Sequence, residues 1–212
     1  ITVIHRGIDP LQYTYDYKPK ETWLNQWQLD FPQLKDKIII TLPARITAWK
    51  GQDDFISIIE QLKAKGINVH GLIVGETHPR KQPFLATLKQ RIAELNLDSH
   101  ITFTGHRSDL QNVLAVSNIV LSLAKQPEAF GRTTIEALSM GIPVIGYDHG
   151  GVAEQLAALF PEGKVAIGDT DSITEKISVW QRTMPMVSNG AHPFTLQSLC
   201  QKTLTIYQEI CS

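Results

Sequence analysis

The chain has 212 residues, 42% of them hydrophobic and 19% charged, with a formal net charge of -1. Such a chain can bury a sizeable core as one large or two small domains, and its balanced charge provides no global basic field to hold nucleic acid. No apolar run approaches the roughly 20 residues that span a bilayer, the first residues lack the charged region and cleavage site of a secretory signal, and two cysteines alone suggest no oxidising compartment, so the expectation is a cytoplasmic protein.

Thr2 to His5 reads as a first strand, and a chain that opens directly on such a run reads as an excised domain or a processed product. Trp23, Leu24, Trp27 and Phe31 recur at helical spacing. Core packing is the first reading of that stripe, and a face turned to a partner is the second. Lys37 to Leu42 is the next strand candidate. Asp53, ahead of Phe55, Ile56 and Ile59, reads as a helix N-cap followed by its apolar stripe, and Gly66 ends that helix.

Asn68 to Val74 is strand-like, and Leu85, Leu88, Ile92 and Leu95 follow a period of about 3.6. Further strands are expected at Ile101 to Thr104, Asn118 to Leu123, Pro143 to Gly146 and Lys164 to Ile167, and a long last helix from Phe194 to Cys211. Short, β-branched apolar runs alternating with helical segments indicate an α/β fold, a Rossmann-like doubly wound parallel sheet with helices on both faces. Cys200 and Cys211 share the last helix, roughly 16 Å apart along its axis, and cannot bridge there. The seven histidines contain no H-x-x-x-H pair, so no metal site is expected.

The informative stretch runs from Pro127 to Ile145 and contains Glu128, Gly131 and Glu136. Gly131 permits close approach of the backbone to a ligand. The N–H groups of residues 131 to 134 would point out of a positive helix end, a ready site for a diphosphate. Glu128 falls on the loop before this helix and Glu136 in its second turn, roughly 8 Å further along, so the two can address different ends of one extended ligand. A carboxylate has paired acceptor oxygens that suit vicinal hydroxyls. A bare pair of glutamates at this spacing would read as solvated charges; its neighbours argue otherwise.

Gly150-Gly151 opens a second helix at the same end of the sheet, and Arg45 and Lys50 follow the strand Lys37 to Leu42 at its carboxyl end, where open sheets bind ligands. No two glycines are separated by one residue and no Gly-Lys-Ser or Gly-Lys-Thr occurs, which sets aside a dehydrogenase-type dinucleotide site and a P-loop.

Together, His5-Arg6-Gly7-Ile8-Asp9, Ala44-Arg45 through Lys50-Gly51, Val74-Gly75, Phe103-Thr104-Gly105, the paired-glutamate block and Gly150-Gly151 with Glu154 resemble the C-terminal domain of group 1 glycosyltransferases, which have the two-domain GT-B architecture. Departures from the family pattern are Ala44 in place of glycine and Arg6 in place of asparagine. The resemblance implies that the whole chain, 1–212, is one nucleotide-sugar-binding domain of a retaining glycosyltransferase, with the last helix packing toward an N-terminal acceptor domain. It implies catalytic roles for Arg45 and Lys50 on the diphosphate and for Glu128 at the donor sugar. Glu136 would hold the ribose hydroxyls, and Phe130, Gly131, Arg132 and Thr133 would line the sugar and phosphates. Gly7 belongs to the donor-site motifs, and the nucleobase would lie near Thr104, Gly105, His106 and Arg107. No cofactor or metal is implied beyond a GDP- or UDP-linked sugar. The implied partner is a glycolipid or glycan acceptor, with the full-length enzyme at the inner face of the cell membrane. Leu42 to Gln52 resembles bacterial lipopolysaccharide core mannosyltransferases. A GT-B epimerase or phosphorylase, or a binding module without turnover, are the alternatives.

Overall fold

Every strand expected from Lys37 onward forms, shifted by one or two residues at its ends. The computed structural model describes residues 2–211. In chain order it contains α1 (Glu21–Asp30), β1 (Ile38–Pro43), α2 (Gln52–Ala64), β2 (Val69–Val74), α3 (Gln82–Glu94), β3 (Ile101–Gly105), α4 (Leu110–Ala115), β4 (Ile119–Ser122), α5 (Arg132–Ser139), β5 (Val144–Tyr147), α6 (Gly150–Leu159), β6 (Lys164–Val165), α7 (Thr170–Trp180) and α8 (Leu196–Cys211).

The six strands form one all-parallel sheet in the order β3-β2-β1-β4-β5-β6. Chain order reverses between β1 and β4, and the crevice at the carboxyl ends of such a strand pair is where doubly wound sheets take ligands.

Alternation along β2 explains why helices cover both faces. Leu72 and Val74 join Trp27, Leu34 and Val113 in one buried cluster, whereas Val69 and Ile73 join Phe55 and Ile59 in the larger one. Helix α2 supplies Phe55, Ile56, Ile58, Ile59 and Leu62, all without exposed surface; each contributes about 1.5–3 kcal/mol by leaving water. On the opposite face the stripe of α1 is core: Trp27 is buried, stacked on Trp23 at 5.0 Å and against Phe31 at 4.3 Å.

Two local expectations are corrected. Thr2 to His5 forms no strand: Val3 is exposed, and the chain first pairs at Ile8, whose N–H and C=O bond to Phe194 and to the N–H of Leu196. Both sheet edges lie elsewhere, so an apolar run alone found no partner strand. Asp53 is not an N-cap. The cap position is Gly51, and Asp53 stands in the first turn with its carboxylate 3.9 Å from Arg91, where its charge still suits the positive helix end.

The last helix forms as α8, yet none of its residues is buried, and Leu196, Leu204, Tyr207 and Ile210 expose apolar surface. Cys200 and Cys211 are free and exposed. No helix among the described residues is long and apolar enough to cross a membrane.

Candidate functional site

Beyond β1 the chain must turn sharply to begin α2, and three contacts fix that turn. The buried amide of Gln52 donates to the Arg45 carbonyl at 3.0 Å. The Lys125 N–H donates to the Trp49 carbonyl at 2.7 Å, tying the turn to the segment after β4. Gly51 has φ +77°, and a Cβ there would lie 2.2 Å from the Leu123 carbonyl oxygen. Any other residue would push the two loops apart.

This closeness brings Lys50 to Glu128, 78 positions away in sequence, as an ion pair with both side chains largely shielded from solvent. Lys50 also lies over the Trp49 ring, 4.3 Å from its centroid. Arg45 is exposed, and no ion pair engages it among the described residues.

The loop carrying Glu128 rests on the start of α6. The Gly151 N–H donates to the Glu128 carbonyl at 2.8 Å, and the Gln155 amide donates to the Phe130 carbonyl. A Cβ on Gly150 would meet the Glu128 carbonyl oxygen at 2.7 Å, and one on Gly151 the Phe130 Cα at 2.6 Å. The Gly-Gly pair is therefore the seat of the glutamate loop.

Helix α5 starts after Gly131, which is left-handed (φ 71°) with no side-chain cap. Thr134 returns its N–H to the Gly131 carbonyl at 3.1 Å. The amides of Arg132 and Thr133 have no acceptor within their own helix and are the donors available to an anion.

Glu136 is buried at 3% exposure and does not line the cleft; Arg132 lies across it, with Nε donating to its carboxylate at 2.6 Å. Burial pushes the Glu136 carboxyl above its ordinary value, against the opposing pull of Arg132 and of the Tyr13 hydroxyl. The bond to Glu136 raises the Arg132 guanidinium in turn, and burial followed by the charge of Glu136 raises the Tyr13 phenol.

The cleft between these loops has a volume of about 470 Å³, and Arg45, Lys50, Glu128, His106, Arg107 and Thr133 line it together with Arg132. An adjoining hollow of about 430 Å³ shares Glu128 and Arg132 and adds Gly7, Phe130, Gly131 and Leu199 of α8. Gly7 has a steric role: a Cβ there would lie 2.1 Å from the Thr195 backbone, so glycine lets the segment before α8 cross it. Arg107 is held by Asp109, with bonds of 2.8 and 2.5 Å, and lies over Trp27. Burial pushes the Asp109 carboxyl up, but the bonds from Arg107 and Trp23 together outweigh it and hold the group below its ordinary value.

Thr104 and Gly105 are not cleft walls. They end β3, where the Gly105 carbonyl accepts from the Gly75 N–H at 2.9 Å. Glu76, Leu110 and Leu199 line the two hollows without any motif to announce them. The wall of the main cleft carries the cations Arg45, Lys50, Arg107 and Arg132 against the carboxylates Glu76 and Glu128. A chain of net charge -1 thus concentrates positive charge at the switch point of its sheet, and this arrangement can receive a diphosphate and stabilise it as a leaving group.

Comparison with known proteins gives the family of the chain. A family model described as glycosyl transferases group 1 matches residues 25–181. The N-acetyl-alpha-D-glucosaminyl L-malate synthase of Bacillus anthracis is 27% identical over 190 residues, covering 83% of this chain and 46% of that protein. The chain thus spans about half the length of this curated relative. A glycosyltransferase structure from Rickettsia africae ESF-5 superposes with a TM-score of 0.85 at 26% identity, over 100% of this chain and 57% of that one. Anabaena Alr3699/HepE, crystallised with UDP-glucose, shares the fold with a TM-score of 0.82 at 22% identity, over 98% of this chain and 57% of its own. With residues 25–181 matched, the chain belongs to the group 1 family of glycosyl transferases.

Proposed function

We propose that the chain is the donor-binding domain of a retaining glycosyltransferase that moves a sugar from a nucleoside diphosphate to a glycan or glycolipid acceptor. The observation that carries this reading is the convergence of Arg45, Lys50, Glu128 and the start of α5 on one cleft. Arg45, Lys50 and the amides of Arg132 and Thr133 receive the diphosphate and stabilise the charge that develops as the sugar–phosphate bond breaks. Glu128 sits beside that position and orients the sugar; Glu136, once Arg132 turns to the phosphates, accepts from the ribose hydroxyls. His106 and Arg107 line the end of the cleft assigned to the base. The proposal includes no cofactor or metal beyond the donor.

The acceptor belongs to a partner domain. The uncovered apolar face of α8, with Leu204, Tyr207 and Ile210 exposed, supports its docking there. A role in lipopolysaccharide or another surface glycan, at the cytoplasmic face of a membrane, is supported by the resemblance of Leu42 to Gln52 to the lipopolysaccharide core enzymes.

Calorimetry with UDP, GDP and ADP and their sugars tests the reading. Replacing Arg45 or Lys50 with Ala is expected to weaken nucleoside diphosphate binding by about 1.5–3 kcal/mol, the range for a hydrogen bond to a charged group, and added salt should weaken it further. Unchanged affinity in both folded variants would remove these residues from the site.

The two carboxylates should separate. Glu136→Gln is expected to weaken nucleotide and nucleotide-sugar alike, and Glu128→Gln, which also releases Lys50 to the diphosphate, to weaken the sugar-bearing ligand relative to the nucleotide by about 1–2 kcal/mol. Equal losses for both ligands in both variants would overturn the assignment.

A further inference from the structure

A second hollow lies away from the donor cleft, toward the far end of α5. Its volume is about 600 Å³, and three distant segments build it: residues 10–15, the end of α5 with Leu159 of α6, and residues 187–198. Seven residues of helix separate Arg132 in the donor cleft from Ser139 in this wall, roughly 10 Å along the axis.

The wall holds no Asp, Glu, Lys or Arg, although 19% of the chain is charged. A phosphate, carboxylate or ammonium group entering it would lose water and gain no counter-charge. Between the apolar side chains of Pro10, Leu138, Leu159 and Val187, the wall presents hydroxyl, amide and aromatic surface. Tyr15 is anchored by a bond from its hydroxyl to the Val187 carbonyl at 3.1 Å. Thr14, Ser188, Asn189 and Gln197 line the hollow, and their side chains make no hydrogen bond to protein among the described residues. The His192 ring meets Ser139 Oγ at 3.0 Å through Nε2, while its Nδ1 is buried with no partner. Burial lowers the pKa of this ring, so it adds no charge near neutral pH.

We infer that this hollow is a second binding site, for a neutral saccharide. Sugars combine apolar C–H faces, which lie against aromatic rings, with uncharged hydroxyls that both donate and accept. Free neutral donors and acceptors beside a tyrosine ring, with no formal charge, match that chemistry. A fatty chain fits poorly, because its burial would leave those polar groups without water. The site shares no wall residue with the main cleft, although the Tyr13 hydroxyl reaches from its wall to Glu136, and none of the hydroxyl and amide groups offered to the saccharide belongs to the donor assignment.

The test is saturation-transfer NMR and calorimetry on the whole chain with maltose, chitobiose and mannobiose at up to about 20 mM, the range in which weak single-site binding is read. At least one disaccharide should bind, and UDP or GDP should not displace it. The double variant Asn189→Ala/Gln197→Ala changes two exposed side chains and should weaken binding about fivefold or more, as expected for lost hydrogen bonds. Glu128→Gln should leave it unchanged. Absence of binding by all three sugars, displacement by nucleotide, loss in Glu128→Gln or indifference to the double variant would each overturn the assignment. Diphosphate binding is tested without any saccharide, by the Arg45→Ala and Lys50→Ala variants, so the two readings can fail separately.

Discussion

Between pH about 7.5 and about 4.5, the folded chain is expected to lose about 2–3 kcal/mol of stability through His70 alone. His70 lies on β2 with no exposed surface; Nε2 meets Thr102 Oγ1 at 2.9 Å, and Nδ1 is buried without a partner. A charged imidazole needs acceptors for two N–H groups. Protonation here would leave one donor buried and unpaired in an apolar sheet. Burial, followed by Lys37 and His100, accordingly lowers the pKa from 6.5 to about 4. The unfolded chain takes up a proton near 6.5 while the folded chain does not, so stability is complete above that value and declines as pH falls toward about 4. Urea unfolding at the two pH values checks this, with His70→Gln as the reference: Gln has no titratable group and can still bond Thr102. The wild type should lose about 2–3 kcal/mol more than the variant over the window. Equal losses would mean that His70 does not stay neutral in the folded chain.

The strands and the glutamate block could be read in the sequence because they depend on local pattern. Buried parallel strands are apolar on both faces, so β1 to β5 stand out as runs, and Glu128, Gly131 and Glu136 stand at fixed offsets around one helix start. What could not be read depends on partners distant in sequence. Gly51 is required by the carbonyl of Leu123, Gly7 by Thr195, and Gly150 and Gly151 by the backbone of the glutamate loop. In the sequence each reads as a turn or a family mark, and only the neighbour supplied by the fold gives the steric reason for glycine. Arg132 covering Glu136 follows from i,i+4 spacing on α5 and was open to inference. The failure at Thr2 to His5 has the converse cause: strand propensity is satisfied only where a sheet edge is available, and residues 2–5 meet none.

The chain alone is expected to bind donor nucleotide and yet turn over at background. In the proposed reaction the acceptor lies across a cleft from the sugar, and holding two reactants in register is worth about 7–11 kcal/mol in well-oriented systems. Nothing in the wall of the donor cleft is assigned to the acceptor. Arg45 is exposed, and an open site weakens what a cation can do for developing charge, because water screens it. Diphosphate affinity should survive better, since Arg45, Lys50 and the start of α5 all belong to this chain, although the Lys50–Glu128 and Arg132–Glu136 pairs must open to admit it. That exchange replaces one counter-ion by another and should appear as a modest affinity rather than as a block. The check is to incubate the chain with the nucleotide-sugar that calorimetry identifies and a bacterial glycolipid extract, and to follow nucleoside diphosphate release. Supplying the rest of a group 1 enzyme as a fused N-terminal domain should raise the rate by several orders of magnitude. Sustained acceptor-dependent release by the chain alone at about 1 per second, an ordinary enzymatic rate, would show that these 212 residues already contain an acceptor site.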